Sequence, residues 1–214
     1  MGSDFFVGLD LGQSQDFTAL AVVERAECAG AWDGAAFAYL TESAVRLRHM
    51  ERVPLGTTYP EVVARVGRVM RSAALAKGRR HLVVDATGVG QPVVDLLEQE
   101  DLPCKIWPVT ITGGVSEGLS KTTYRVPKRD LIIGLQVRLQ AGELQIAAGL
   151  KEGAALAREL GDMRVQMSSG GREKYGARSG EHDDLVLAVA LACWGVSKLE
   201  ETGMVGERRE GRVV

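Results

Sequence analysis

Four aspartates occupy positions where an uncompensated carboxylate is costly. Asp10 interrupts the apolar segment VGLDLG, and Asp85 ends the apolar segment HLVVD. Asp183 and Asp184 open a long apolar run, DDLVLAVALACW. A buried charge is unfavourable unless a partner or a metal compensates it. Carboxylate oxygens suit Mg²⁺ or Mn²⁺ better than zinc, and a pair of such ions promotes displacement at phosphorus.

Each of these aspartates also has an ordinary structural explanation. Asp10 could end its strand with a hydrogen bond to the next turn, and Asp85 could initiate a turn. Either member of the pair Asp183–Asp184 could cap a helix and complement its dipole. Capping explains one aspartate more easily than two in succession. The set as a whole, from two strand ends and one helix start, favours a cation site that relieves mutual repulsion.

The elements that must position these residues change in pattern along the chain. Three short apolar or alternating segments predict an antiparallel meander: 5–11, 17–24 and 35–48. A strand-helix-strand pattern follows, with a helix from Tyr59, a strand at 81–85, a helix from Pro92 to about Glu100 and a strand at 104–109. The first half therefore predicts a sheet with both antiparallel and parallel strands.

The second half predicts further helices separated by polar segments. Residues 110–124 and 168–180 are rich in Gly, Ser or Thr and are expected to form loops. Between and after them we predict helices at 127–141, 154–163 and 183–199, and short strands at 143–146 and 163–167. Residues 1–199 are expected to form one domain, and 200–214 a flexible, charged C-terminal tail.

Composition restricts the class of protein. The 214 residues carry a net charge of -2 and 45% apolar residues, as expected for a single soluble domain. Three cysteines far apart in sequence form neither a disulfide framework nor a zinc motif. There is no signal-peptide pattern, and the run from Leu185 to Trp194 is too short to span a membrane. We expect a cytoplasmic protein without membrane partners.

From Val7 to Trp194 the chain resembles the nuclease domain of phage terminase large subunits. The resemblance depends on the ordered motifs LDLG, VVDATGVG and HDDLVLAVALA, supported by YRVPKRDLI, GELQI and SGGREKYGARSGEHDD. It implies an α/β, RNase H-like fold with a mixed central sheet. An antiparallel three-strand meander is followed by strand-helix units, and helices cover both faces. It also implies a metal-dependent endonuclease that cuts concatemeric double-stranded phage DNA for packaging.

The resemblance assigns catalysis and metal binding to Asp10, Asp85, Asp183 and Asp184, with two Mg²⁺ or Mn²⁺ ions as cofactors. It leaves open which of Asp183 and Asp184 is the direct ligand. His182 and Asp16 are candidates for residues that contact the metal ligands without binding the metal themselves. The implied partners are DNA, a separate or removed ATPase motor domain, a terminase small subunit and a portal. A P-loop motif is absent, so we expect no ATP hydrolysis by this chain.

Two groups of basic residues are candidates for phosphate contacts with DNA. The first group is Lys121, Arg125, Lys128 and Arg129; the second, in or beside the Gly-rich loop before Asp183, is Arg164, Arg172, Lys174 and Arg178. The alternative for both is a solvated surface.

Three other functions remain open on sequence grounds. A Holliday-junction resolvase has the same metal chemistry, and would show dimerisation and a preference for four-way junctions. An actin-like ATPase or sugar kinase shares the strand order, and GLDLGQSQDFTALAVVE resembles its first phosphate-binding turn. However, that class needs two lobes and lacks an HDD helix. A catalytically inactive DNA-binding module is the third alternative, which the intact set of acidic residues disfavours.

Overall fold

The computed structural model describes residues 2–12, 16–88, 90–167, 173–176 and 182–210, with backbone alone at 164–167, 173–176 and 203–210. Its centre is an eight-stranded mixed sheet, and a two-stranded sheet is separate from it. The eight strands of the main sheet are Ser3–Asp10 (β1), Ala19–Asp33 (β2), Ala38–Arg52 (β3), Arg79–Asp85 (β4), Lys105–Thr112 (β5), Gly118–Ser120 (β6), Thr123–Pro127 (β7) and Leu144–Ile146 (β8). Their order across the sheet is β6-β7-β5-β4-β1-β2-β3-β8.

The predicted antiparallel meander is confirmed in β1, β2 and β3. Asp10 pairs with Ala19, and Ala19 pairs in turn with Arg52, so these three residues form one row across the sheet. The β2–β3 hairpin is longer than the sequence pattern indicated, because pairing continues to Asp33 and Ala38 beyond a register shift. In this distal part of the hairpin Trp32 and Phe37 are exposed to solvent. Because neither face is buried there, the sequence shows no alternation of apolar and polar residues that would predict a strand.

The parallel part of the sheet brings several strand ends together. β1 pairs in parallel with β4, β4 with β5, and β5 with β7. Their carboxyl ends, among them Asp10 and Asp85, therefore lie at the same end of the sheet. In open α/β sheets, ligands bind at this end.

Two sequence-based loop assignments were wrong in part. Residues 110–124 include the end of β5, the whole of β6 and the start of β7. β6 and β7 are short strands at one edge of the sheet, where β7 pairs with β5 and β6 pairs with β7. This pairing outweighs a Gly- and Ser-rich composition. Residues 173–176, expected in a loop, form Glu173–Gly176 (β10), which pairs with Arg164–Met167 (β9). The rest of 168–180 lies outside the described residues.

Helices cover both faces of the sheet, as predicted. Tyr59–Met70 (α1) and Gly90–Gln99 (α2) pack on one face, with Val63 and Val94 in its core. Lys128–Gln140 (α3), Gly153–Asp162 (α4) and Asp184–Glu210 (α5) belong to the other face. α5 continues to Glu210, beyond the predicted end at Leu199. In the described part of the chain, no helix is both long and apolar enough to cross a membrane.

Close packing of α5 on β1 depends on Gly8. A Cβ atom added at Gly8 would lie 1.9 Å from the Ala188 carbonyl oxygen and 2.8 Å from the Ala192 nitrogen, closer than packing allows. The missing side chain lets the helix backbone rest directly on the strand. The first turn of α5 is thereby held beside the carboxyl end of β1.

Candidate metal-binding site

The four predicted aspartates lie at one end of the sheet. Asp10 ends β1, Asp85 ends β4, and α5 begins at Asp184, directly after Asp183. A cleft of about 250 Å³ opens beside them; its lining residues are Asp10, Leu11, Gly12, Asp16, His182, Asp183, Asp184 and Leu187. The fold thus gathers residues that are more than 170 positions apart in sequence.

Asp10 is buried, with 7% of its surface exposed. Burial raises its pKa well above the ordinary value, and the charges of Asp85, Asp184 and Asp183 raise it further, while Lys128 opposes them. The charges of the other three aspartates therefore disfavour ionisation of Asp10. A bound cation would relieve that repulsion.

Asp85 is oriented by the turn that follows β4. Its Oδ1 accepts hydrogen bonds from the Thr87 backbone nitrogen, at 2.8 Å, and from the Thr87 hydroxyl. The Thr87 hydroxyl oxygen in turn accepts a bond from the Ile111 backbone nitrogen, at 2.8 Å. Gly88 supports the turn by adopting a φ of 62°. Burial raises the pKa of Asp85, and the two Thr87 bonds oppose that rise.

The two adjacent aspartates have different environments. Asp183 Oδ2 accepts a hydrogen bond of 2.7 Å from Lys128 Nζ. Asp184 is 6% exposed, and its buried Oδ2 has no hydrogen-bond partner among the described residues. Burial, opposed by His182 and Arg52, raises the pKa of Asp184 to about 6. This oxygen lies within ion-pair distance of His182 Nδ1, at 3.6 Å, and of Arg52 Nε, at 3.9 Å, but accepts a hydrogen bond from neither, so its hydrogen-bonding capacity is unsatisfied.

Sequence reasoning missed two charged residues beside Asp184. Glu159 on α4 is 5% exposed and forms an ion pair with Arg52, the last residue of β3. The only signal for Glu159 was its position on the apolar face of α4, four residues after Ala155 and three after Leu156. Nothing in the pattern of β3 distinguished Arg52 from Arg46 and Arg48.

The two supporting candidates, His182 and Asp16, both line the cleft. His182 Nδ1 lies 3.6 Å from Asp184 Oδ2, and the imidazole packs edge-on against the Phe17 ring at 5.3 Å between centroids. Asp16 is exposed. Burial is the main cause of the raised pKa of Asp184, and the charge of Asp16 makes a smaller contribution in the same direction. Both positions are compatible with an auxiliary role.

The basic candidates fall into separate places. Lys128 belongs to the carboxylate cluster itself, whereas Lys121 and Arg125 are exposed on the β6–β7 hairpin. Arg129 pairs with Asp130 at 3.1 Å. The side chains of Arg164 and Lys174, and the whole of Arg172 and Arg178, lie outside the described residues.

The donor set fits a hard divalent cation, although the carboxylates do not converge on one point. Among the residues that the structure describes, no three His, Cys, Asp or Glu side chains are arranged to hold a metal ion. Asp85 is turned toward Thr87 and Asp183 toward Lys128. The remaining features fit Mg²⁺ or Mn²⁺: oxygen ligands, raised carboxyl pKa values and an Asp184 Oδ2 that accepts no hydrogen bond from the described residues.

The resemblance to terminase nucleases is confirmed at the level of the fold. The large terminase nuclease from thermophilic phage G20c aligns with a TM-score of 0.62 and 19% identity, over 89% of this chain and 81% of that chain. Its magnesium-bound structure gives 0.60 and 20%, over 89% and 80%. The nuclease domain of the Thermus phage P74-26 large terminase gives 0.56 and 19%, over 89% and 78%. No protein-family model and no curated protein sequence matches the chain.

Proposed function

We propose that this chain is a metal-dependent endonuclease that cleaves double-stranded DNA. One observation carries the proposal: carboxylates from β1 and the start of α5 line one cleft, and the charge of Asp85 at the end of β4 acts on the same buried Asp10. The fold that holds them is shared with large terminase nucleases, one of which has been solved with magnesium and with cobalt. We extend the use of divalent metal to this chain, with two ions of Mg²⁺ or Mn²⁺ as the cofactors.

Asp10, Asp85, Asp183 and Asp184 are the residues that would hold the ions. When bound, such ions activate water and stabilise the leaving oxygen of a phosphodiester. The chain prepares its ligands in different ways. Thr87 orients Asp85, Lys128 holds Asp183, and Asp184 Oδ2 is engaged in no hydrogen bond with the described residues. Cation binding would keep the raised-pKa carboxyls ionised at neutral pH.

The substrate assignment to duplex DNA depends on exposed cations on the hairpin that precedes Lys128. Lys121 and Arg125 project from the β6–β7 hairpin, and β7 runs directly into Lys128 at the site. Such cations position a duplex through its phosphates without reading its sequence. A net charge of -2 requires that DNA contacts be confined to such local patches.

The terminase resemblance extends the proposal to a role in the packaging of phage DNA. In this interpretation the chain cuts concatemeric phage DNA in the host cytoplasm, together with an ATPase motor domain, a small subunit and a portal. Cleavage itself needs none of these partners, so it can be tested on the chain alone.

The test is the incubation of supercoiled plasmid with purified protein and Mn²⁺ or Mg²⁺, with and without EDTA. We expect nicked, linear and then fragmented DNA, and its loss in EDTA and in Asp10→Asn. Asp95→Asn, which changes an exposed aspartate on α2, is the matched control and should cleave like the parent. No cleavage with either metal at low salt, from neutral to mildly alkaline pH, would contradict the proposal.

A further inference from the structure

Two buried atoms that lack hydrogen bonds face each other next to the cleft. Arg52 Nε and Asp184 Oδ2 lie 3.9 Å apart, and neither has a hydrogen-bond partner among the described residues. The separation exceeds that of an N–H···O hydrogen bond. The guanidinium therefore attracts this carboxylate without using the lone pairs of its oxygen.

Arg52 is fixed by its surroundings rather than by Asp184. Its Nη2 donates to Glu159 Oε1, and its guanidinium lies over the Phe17 ring, 5.3 Å from the centroid. Through the strand pairing of Arg52 with Ala19, the same residue is aligned with Asp10 two strands away. A planar guanidinium held on two sides has little freedom to turn.

Glu159 connects this arginine to the first turn of α5. Its Oε2 accepts a hydrogen bond of 3.0 Å from the backbone nitrogen of Val186, two residues after Asp184. One buried carboxylate thus fixes both Arg52 and the backbone that carries Asp184.

We propose that Arg52, fixed by Glu159, is a positioning residue that orients the Asp184 carboxylate for metal binding. The inference rests on the proposed function, because it concerns the same site. Arg52 is placed to attract Oδ2 and thereby hold the Asp184 carboxylate where it lines the cleft. Glu159 compensates the arginine charge, so that the guanidinium repels the incoming cation less.

Positioning and simple charge balance predict opposite effects on metal affinity. If Arg52 contributed only its charge, its removal would strengthen Mn²⁺ binding, because one nearby positive charge would be gone. If it orients Asp184, its removal should weaken Mn²⁺ binding by roughly 10- to 100-fold, as is usual for groups that orient metal ligands.

The experiment compares the parent with Arg52→Gln, Arg52→Lys and Glu159→Gln. Thermal melting over a Mn²⁺ titration gives metal affinity independently of cleavage, and plasmid cleavage gives kcat and KM. We expect all three variants to need more Mn²⁺ for the same rise in Tm and to lose kcat, with KM for DNA nearly unchanged. Arg52→Lys keeps the charge and loses the planar donors, so it should weaken binding as well.

Arg48→Gln is the matched control, since Arg48 lies on the same strand and pairs with Glu24 at 2.6 Å. It should match the parent in both measurements. If Arg52→Gln does not fold, Arg52→Lys and Glu159→Gln decide the question. If the variants that fold bind Mn²⁺ as tightly as the parent or more tightly, the role of Arg52 is overturned and the proposed function is unaffected. A parent that neither gains stability from Mn²⁺ nor cleaves DNA would overturn the proposed function and the inference with it.

Discussion

Lys128 Nζ lies 2.7 Å from Asp183 Oδ2, at the point where β7 passes into α3. Because β7 is parallel to β5 and Lys128 follows its last residue, this lysine lies at the same end of the sheet as Asp10 and Asp85. Its charge opposes the rise in pKa that burial imposes on both. Lys128 is thus a cation that the chain itself supplies to the carboxylate cluster.

Replacement of Lys128 by Gln should destabilise the metal-free protein and strengthen metal binding. Loss of a partly buried, charged hydrogen bond is expected to cost about 1–2 kcal/mol in the free energy of unfolding. Mn²⁺ would then meet no competing charge at Asp183. Urea unfolding in EDTA measures the first effect, and melting over a Mn²⁺ titration the second.

Lys121→Gln is the control for Lys128→Gln, because it removes the same charge from the exposed hairpin. It should leave metal-free stability and the Mn²⁺ midpoint unchanged. Equal Mn²⁺ midpoints for Lys128→Gln and the parent would show that Lys128 does not compete with the cation.

Asp184 should make the metal-free protein less stable as pH rises. Burial raises its pKa from 3.8 to about 6, so across that window the unfolded chain loses the proton first. The free energy of unfolding should fall through this window by about 3 kcal/mol and stay lowered above it. The penalty is absent below the unfolded pKa, where both states are protonated.

Asp184→Asn removes this titration. Relative to the parent, the variant should become more stable from pH 4 to pH 7 in EDTA, by roughly the same 3 kcal/mol. His182, Arg52, Asp183, Asp16 and Glu159 surround the carboxyl in both proteins, so their own contributions largely cancel. Urea unfolding across pH measures the difference, with Asp95→Asn as the surface control. A stability difference that does not change with pH would contradict the raised pKa.

The β6–β7 hairpin should contribute to DNA binding. Replacing Lys121 and Arg125 together by Ala removes two exposed charges from the hairpin that leads into Lys128. Weaker binding is expected, with the slope of log affinity against log salt reduced by about 2, because fewer counterions are released. Tm should hardly change, since exposed charges contribute little to stability. Fluorescence anisotropy of a labelled duplex over a salt series measures both quantities.

Lys77→Ala with Arg68→Ala is the matched control for the hairpin variant. Both residues are exposed, and Lys77 precedes β4, at the opposite end of the strand from Asp85. This double variant should bind DNA like the parent. If both pairs had the same effect, the attraction would reflect overall charge rather than a surface beside the cleft.

The fold and the central aspartates were predictable because burial makes their sequence context distinctive. Asp10 and Asp85 stand out as charges at the ends of apolar strands, and the apolar run after Asp184 identifies a buried helix. Strand direction then places both strand ends on one side of the sheet. These inferences need only local patterns and the rules of sheet topology.

The contacts around Asp184 could not be predicted from local patterns. Arg52 and Glu159 are 107 positions apart, and each is a common residue on its element. Likewise, Lys128 was expected to contact DNA, because its basic neighbours in sequence suggested a surface patch. Its pairing with Asp183 depends on how α3 and α5 pack, which sequence periodicity does not specify.

The central claim, that the aspartates form a metal site, is tested most directly by thermal melting of Asp10→Asn and Asp85→Asn beside the parent. Each protein is melted in EDTA and in millimolar Mn²⁺. We expect both variants to melt at or above the parental Tm in EDTA, because one repelling charge is removed. Both should gain less from Mn²⁺ than the parent, since binding to the native state is weaker. Loss of stability in EDTA, with a parental gain from Mn²⁺, would instead show that these residues are structural.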